Sequence, residues 1–270
     1  MRKRTGLLWP VLFLWVGFFQ TGAVASEPSR PVIGIIIDDM GKTADAGRRA
    51  LTLPGPVACA FLPRAPYTRE LARAAHFAGK EVMLHLPMDS VDGRRLDAGA
   101  VTLNMTQREF DRVVAENLAA IPYVQGVNNH MGSLLTRHPG HMLWLMQELK
   151  RRAPLFFVDS RTTVATVARQ VAYENGIPST ERNVFLDNDL DTQQLDYQFD
   201  RLLRLARKHG TAVAIGHPHA QTLALLERRL PGLRRQGVDL VPVARVIQLQ
   251  QEDPQTWQAS WSPSHKAAKN

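Results

Sequence analysis

Val32-Ile33-Gly34-Ile35-Ile36-Ile37-Asp38-Asp39-Met40-Gly41 (VIGIIIDDMG) decides the fold. Six residues of almost unbroken aliphatic character, rich in β-branched side chains, suit a parallel strand covered on both faces. Two carboxylates then follow at the strand's end. Similar short apolar runs recur along the chain at Val57–Leu62, Glu81–Leu86, Val124–Val127, Leu155–Val158, Val184–Leu186, Thr211–Ile215 and Val238–Val241. Helical patterns lie between most of them. Thr106-Gln107-Arg108-Glu109 is a capping box, and the helix behind it should run to about Ala120. Pro139 suits the first turn of a helix carrying Met142, Leu145, Met146 and Leu149. Gly176 and Gly210 stand where helices should stop. Eight strands alternating with helices predict an α/β fold, a regular or distorted (β/α) barrel of parallel strands; an open doubly wound sheet is the alternative.

The rest of the 270 residues frames this one domain, expected over 31–250. Arg2, Lys3 and Arg4, the apolar run Leu7–Phe19 and the small-x-small site Ala23-Val24-Ala25 read as a signal peptide over residues 1–25. An uncleaved anchor is the other reading, although the run is short for a span. The expectation is an exported protein of the periplasm or cell envelope whose only membrane contact is the signal segment. Residues 251–270 are polar and read as a disordered tail.

Hydrophobic residues make up 44% and charged residues 21%, an ordinary globular balance. The net charge is +8, of which three charges belong to the signal. Basic residues come in pairs near expected helix ends, without the aromatic-interleaved stripe of a nucleic-acid binder. Cys59, the one cysteine, lies in an apolar run and reads as inert core.

In parallel α/β folds chemistry gathers at the C-terminal ends of strands. Here Asp38 and Asp39, His85 with Asp89 beyond it, Asn128-Asn129-His130, Asp159, Asp187 and Asp189, and His217-Pro218-His219 all fall there. Each has an ordinary explanation. The Asp pair could cap a helix, His85 could be a satisfied core histidine, the Asn-rich stretch could be a turn, and the late histidines could be exposed loop residues. Six strand ends together instead suggest one convergent site. Adjacent buried acids are expensive unless compensated, and they can divide labour between holding a metal and acting as a base. Asp187-Asn188-Asp189-Leu190-Asp191 fails as a calcium loop, because Thr192 and Gln198 occupy positions that need Gly and Glu. It reads as a turn and a helix N-terminus. No nucleophile elbow, Walker loop, H-E-x-x-H or paired C-x-x-C is present.

Taken in order, VIGIIIDDMG (32–41), VMLHLPM (82–88), GVNNHMGS (126–133), FVDS (157–160), VFLD (184–187) and AIGHPH (214–219) resemble the divergent polysaccharide deacetylases, over roughly residues 31–247. The resemblance implies a distorted (β/α) barrel, a divalent metal that is usually zinc, and hydrolysis of an acetyl group on a cell-envelope polysaccharide. It implies Asp38 as catalytic base, Asp39 as a metal ligand and His217 as general acid. The typical His-Ser/Thr-x-x-His motif corresponds to His85-Leu86-Pro87-Met88-Asp89, in which the second His is replaced. His85 then remains a ligand, and His130 is expected to supply the missing one. Asn128, Asn129, Asp159 and His219 are expected to contact substrate. The alternative is a non-catalytic envelope protein that binds glycan or protein on an inherited barrel.

Overall fold

A computed structural model describes residues 30–152 and 154–252. The expected signal and all but the start of the expected tail lie outside the described residues. Gln251 and Glu252, read as tail, instead close the last helix.

The chain runs β1 (Val32–Met40), α1 (Ala44–Leu51), β2 (Ala58–Phe61), α2 (Thr68–Phe77), β3 (Val82–Met88), α3 (Gln107–Ala120), β4 (Val124–Met131), α4 (Pro139–Arg151) and β5 (Phe156–Asp159). It continues through α5 (Ala168–Glu174), β6 (Ser179–Glu181), β7 (Val184–Phe185), α6 (Thr192–His209), β8 (Thr211–Gly216), α7 (Ala220–Arg229), β9 (Asp239–Leu240) and α8 (Val243–Glu252). The capping box forms with both halves: Thr106 Oγ1 accepts from Glu109 N, and Glu109 Oε2 accepts from Thr106 N at 2.9 Å.

The strands form one sheet in the order β6-β5-β4-β3-β2-β1-β8-β7, with β9 beside the start of β1. Every pairing is parallel. The two ends of this path, β6 and β7, are separated in the chain only by Arg182 and Asn183. Arg182 N donates to Asp159 O on β5, and Asn183 N donates to Val213 O on β8. The chain therefore steps from one sheet edge to the other, and the sheet curls into a distorted barrel with a seam at this step. Strand β6 was not anticipated, because Ser179-Thr180-Glu181 has no apolar pattern.

Alternation along the strands separates two apolar layers. Ile33, Ile35, Ile37, Leu84, Leu86 and Phe157 face the surrounding helices. Val32, Ile36, Ala58, Ala60, Met83, Phe156, Val158, Val213 and Ile215 face the interior, where Val243, Val246 and Ile247 of α8 join them. Helix α8 thus plugs one end of the barrel. Glu81 secures it by accepting from Val243 N (2.5 Å) and Ala244 N (3.0 Å), two otherwise orphaned donors at the helix start. Gly34 is bare for the same reason, since a Cβ there would lie 3.2 Å from Val246 Cγ2. Cys59 is buried, and burial pushes its thiol up to about 12, as suits an inert core residue.

Gly126 occupies an interior position on β4, and a Cβ there would fall 2.3 Å from the Phe156 ring. Gly126→Ala should therefore destabilise by about 1–3 kcal/mol through overpacking. Thermal denaturation checks this, and Phe156→Leu in the same chain should restore part of the loss. An unchanged melting temperature in the single variant would refute the packing argument.

Candidate metal and acid–base site

The interior positions become polar toward the strands' C-terminal ends. On β1 the series Val32, Gly34, Ile36 ends in Asp38. On β3 Met83 is followed by His85, on β4 Gly126 by Asn128 and His130, on β5 Val158 by Ser160, and on β8 Ile215 by His217. Parallel register brings these together. His85 pairs with Asn128 and Pro87 with His130 across β3 and β4, while Ile37 pairs with Gly216 across β1 and β8. Asp38 and His217 are the next positions along that last pair. The polar residues of 128–130, expected beyond their strand, form its last turn of pleat.

Alternation alone would send Asp39 to the helix side, away from Asp38. It does not go there, because β1 bulges against β2 between Ile37 and Met40 and Asp39 has φ 55°. A left-handed conformation is strained for a non-glycine residue, although Asp tolerates it better than most. Here it delivers two adjacent carboxylates to one site.

Asp39 Oδ1 lies 3.4 Å from His85 Nε2 and 3.0 Å from His130 Nδ1. The two imidazole nitrogens are 3.1 Å apart. Hydrogen bonding assigns their protons. His85 Nδ1 faces Asn128 Oδ1 at 2.9 Å, so it carries the hydrogen. His130 Nε2 faces Asp97 Oδ2 at 3.1 Å, so it donates there. His85 Nε2, His130 Nδ1 and Asp39 Oδ1 are then three lone pairs pointed at one another, and Asp39 Oδ1 is buried without a hydrogen bond. Three converging acceptors require a positive charge between them. An Asp and two His with ligand atoms within 4.8 Å suit a divalent metal. Without one, the rings themselves must hold the charge. Burial opposes charge on His85, but Asp38, Asp39 and Asn128 outweigh it and raise its pKa. Burial also works against the Asp39 charge, yet His130 and His85 hold that carboxyl far below the usual carboxylate range.

The supporting residues were only partly foreseen. Lys42 Nζ binds Asp39 Oδ2 at 2.9 Å and leaves Oδ1 for the centre. Asp97, from the loop between β3 and α3, fixes the His130 ring. Asp97→Asn should weaken metal affinity by about 10–100-fold, as loss of a ligand-orienting carboxylate typically does. Competition with a chromogenic chelator reads this directly, and unaltered affinity would remove Asp97 from the site.

Beside the centre, Asp38 is 3% exposed and its Oδ1 accepts from Asn128 Nδ2 at 2.8 Å. Burial pushes its carboxyl above the ordinary range, against the pull of His85, His217 and Asn128. His217 Nδ1 sits 3.0 Å from Asp187 Oδ1, whose other oxygen accepts from His217 N (2.6 Å) and Thr222 Oγ1 (2.8 Å). Burial disfavours the imidazolium, but Asp187 outweighs it, with help from Asp38 and Asp39, and raises the His217 pKa. Asp187 was expected at a strand end of the convergent site, in a stretch read as a turn and helix N-terminus, and its pairing with His217 was not foreseen. That helix start is held by Asp191, which accepts from Gln193 N and Gln194 N.

Above these residues opens a cleft of ≈ 330 Å³, within the usual range for small-ligand sites. Asp38, His85, His130, Ser160, Arg182, Phe185 and His217 line its interior, and Ser90, Asp92, Arg94, Ser133 and Thr162 also line it. The residues expected to contact substrate take different places around the cleft. Asp159 is fully buried and turned away, accepting from Arg161 N and Thr166 Oγ1, each at 2.8 Å. Asn128 is completely buried behind the site, its amide spent on Asp38 and His85. Asn129 lines the cleft, but its amide accepts from Ser160 N and donates to Met131 O. His219 is exposed at the start of α7 and lies outside the cleft lining. Asp89, considered as an extra ligand, instead accepts from Leu103 N at 3.2 Å.

Comparison with known proteins agrees with this architecture. The uncharacterized protein YibQ of Escherichia coli (strain K12) is 34% identical over 234 residues, covering 87% of this chain and 73% of that protein. An uncharacterized protein from Agrobacterium tumefaciens C58 has a crystal structure similar to this one at TM-score 0.77 and 18% identity, covering 82% of this chain and 90% of that one. The crystal structure titled "T48 deacetylase with substrate" aligns at TM-score 0.52 and 15% identity, over 81% and 92% of the two chains. Residues 35–247 match the model of the divergent polysaccharide deacetylases, and the chain belongs to that family.

Proposed function

We propose that this protein is an exported, metal-dependent deacetylase that removes an N- or O-acetyl group from a cell-envelope polysaccharide. The observation that carries the reading is the convergence of Asp39, His85 and His130 on one point between a buried carboxylate and a carboxylate-held histidine. Export rests on the signal pattern over residues 1–25.

Asp39, His85 and His130 would hold the metal, and zinc suits that donor set. Bound zinc supplies Lewis acidity toward a carbonyl and brings the pKa of water toward about 7. Asp38 takes the proton from the attacking water as its oxygen bonds to the acetyl carbon. Asn128 Nδ2 holds the carboxylate in place for that transfer. His217 gives its proton to the leaving amine or alcohol as the C–N or C–O bond breaks, releasing acetate. Asp187 fixes the ring so that Nδ1 faces the protein and Nε2 is available to the cleft. This division matches what burial and neighbours do to the two groups: an acid pushed toward neutrality can act as a base, and a histidine held protonated can act as an acid.

The test is acetate release from acetylated envelope glycans by the zinc-loaded mature chain, with a chelated sample beside it. Release that chelation stops and zinc restores supports the reading. Full metal occupancy without release from any acetylated glycan would overturn it in favour of a binding protein on the same barrel.

A further inference from the structure

Arg182 is a cation without a counterion in the cleft. Among the described residues it is the one arginine that is not exposed and has no carboxylate within 4.0 Å. The other described arginines that are not exposed are all paired: Arg49 with Glu227, Arg161 and Arg169 with Glu181, and Arg229 with Asp196 and Asp200. Arg94, the other arginine in the cleft lining, is paired with Asp92 at 2.7 Å.

The fold holds Arg182 firmly in this state. Its backbone is the step across the barrel seam. Its Nε donates to Ser160 O at 2.6 Å and one Nη donates to Arg161 O at 2.8 Å. The guanidinium plane packs 4.8 Å from the Phe185 ring centroid. Backbone carbonyls and a ring face orient the group without cancelling its charge. Removing a guanidinium from water without a paired carboxylate is costly, because two carbonyl acceptors solvate it without neutralising it. Asp38 attracts the guanidinium through space but forms no ion pair with it, since Asn128 Nδ2 takes its Oδ1 and its Oδ2 faces His85 Nε2 at 3.6 Å. Among the described residues the remaining Nη of Arg182 has no hydrogen-bond partner, and the residue lines the cleft.

We propose that Arg182 binds an anionic group of the ligand, so that the glycan recognised here is an acetylated sugar bearing a carboxylate close to its acetyl group. A planar guanidinium with a donor left over is matched to a carboxylate. This inference deepens the deacetylase reading, because it assigns the substrate class to the same cleft. It does not need turnover to be tested.

Calorimetric titration of the mature, zinc-loaded chain with N-acetylmuramic acid and N-acetylglucosamine compares one acetylated ring with and without a lactyl carboxylate. Methyl glucuronide and methyl glucoside make the same comparison with the carboxylate at the sugar's C6. In at least one pair the acid should bind about 10–100-fold tighter, the usual worth of a charge-assisted hydrogen bond. Arg182→Gln should erase that preference while binding of the neutral sugar persists. Arg182→Lys, which keeps the charge, should retain part of it. Equal affinity within both pairs for the wild-type chain, or a preference that survives in Arg182→Gln, would overturn the assignment. The wild-type comparison stands even if a variant fails to fold. A carboxylate preference without acetate release would leave this inference intact and remove the deacetylase.

Discussion

Asp38→Asn is expected to reduce acetate release by about 10²–10⁴-fold, the usual worth of a positioned general base, with metal content unchanged. The substitution is close to isosteric. The Asn side chain can still present an oxygen to Asn128 Nδ2, which now reaches Asp38 Oδ1 at 2.8 Å. Geometry therefore survives while basicity is lost, and none of Asp39, His85 and His130 is altered. Steady-state acetate release and elemental analysis on the same preparations separate the outcomes. Unchanged turnover would reject Asp38 as the base. Loss of metal together with turnover would make it a ligand instead. The wild-type pH profile supplies an independent check. Burial raises the Asp38 pKa, and the base works only when deprotonated, so kcat/KM should rise with pH through that ionisation. His217 must carry its proton, which burial opposes but Asp187 outweighs, so activity should fall as pH rises through its raised pKa. In Asp38→Asn the residual activity should lose the acidic limb and keep the alkaline one.

What could be read from the sequence follows from how local each feature is. The aliphatic run of β1, the alternation of strands and helices and the Thr106 capping box are properties of neighbouring residues, and they carried the barrel. The rule that chemistry sits at strand ends gathered Asp38, His85, His130 and His217, because each closes or follows an apolar run. The same rule reached Asp187 at the end of Val184-Phe185-Leu186, but its acidic neighbours gave it a local explanation. Only the parallel pairing of β7 with β8 reveals that it faces His217. Asp159 shows the converse: it ends a strand, yet alternation turns it to the helix side. Asp97 and Arg182 act through a loop and a seam that bring together residues far apart in the chain, whereas Lys42 reaches Asp39 three residues away, only because that residue is turned by its backbone. Nothing adjacent to Arg182 marks it, since its role depends on the two-residue step between the sheet's edges. Asp39 lies between these cases. Its identity was informative, but its direction depends on one backbone angle.

That direction matters most for the metal, and the largest expected effect on the centre itself is from His130. In His130→Ala, metal content should fall from about one per chain to near zero after desalting, as it should in His85→Ala. Three protein ligands are the usual minimum for a catalytic zinc site with an open position, and two leave little to retain the ion. His130 also arrives prepared: Asp97 holds Nε2 at 3.1 Å, so Nδ1 is directed at Asp39 Oδ1, 3.0 Å away. Asp89→Ala is the informative partner. Asp89 stands where the typical motif has its second histidine, yet its carboxylate accepts from Leu103 N and takes no part in the converging set. Metal content in that variant should remain near one per chain. Thermal denaturation gives a second readout, because an ion that binds only the folded state raises its melting temperature. Zinc should stabilise the wild-type chain and Asp89→Ala, and leave His130→Ala unmoved. Metal kept by His130→Ala and lost by Asp89→Ala would place the second ligand back on β3's own loop. It would also mean that the three facing lone pairs of Asp39, His85 and His130 are resolved by a proton rather than by an ion.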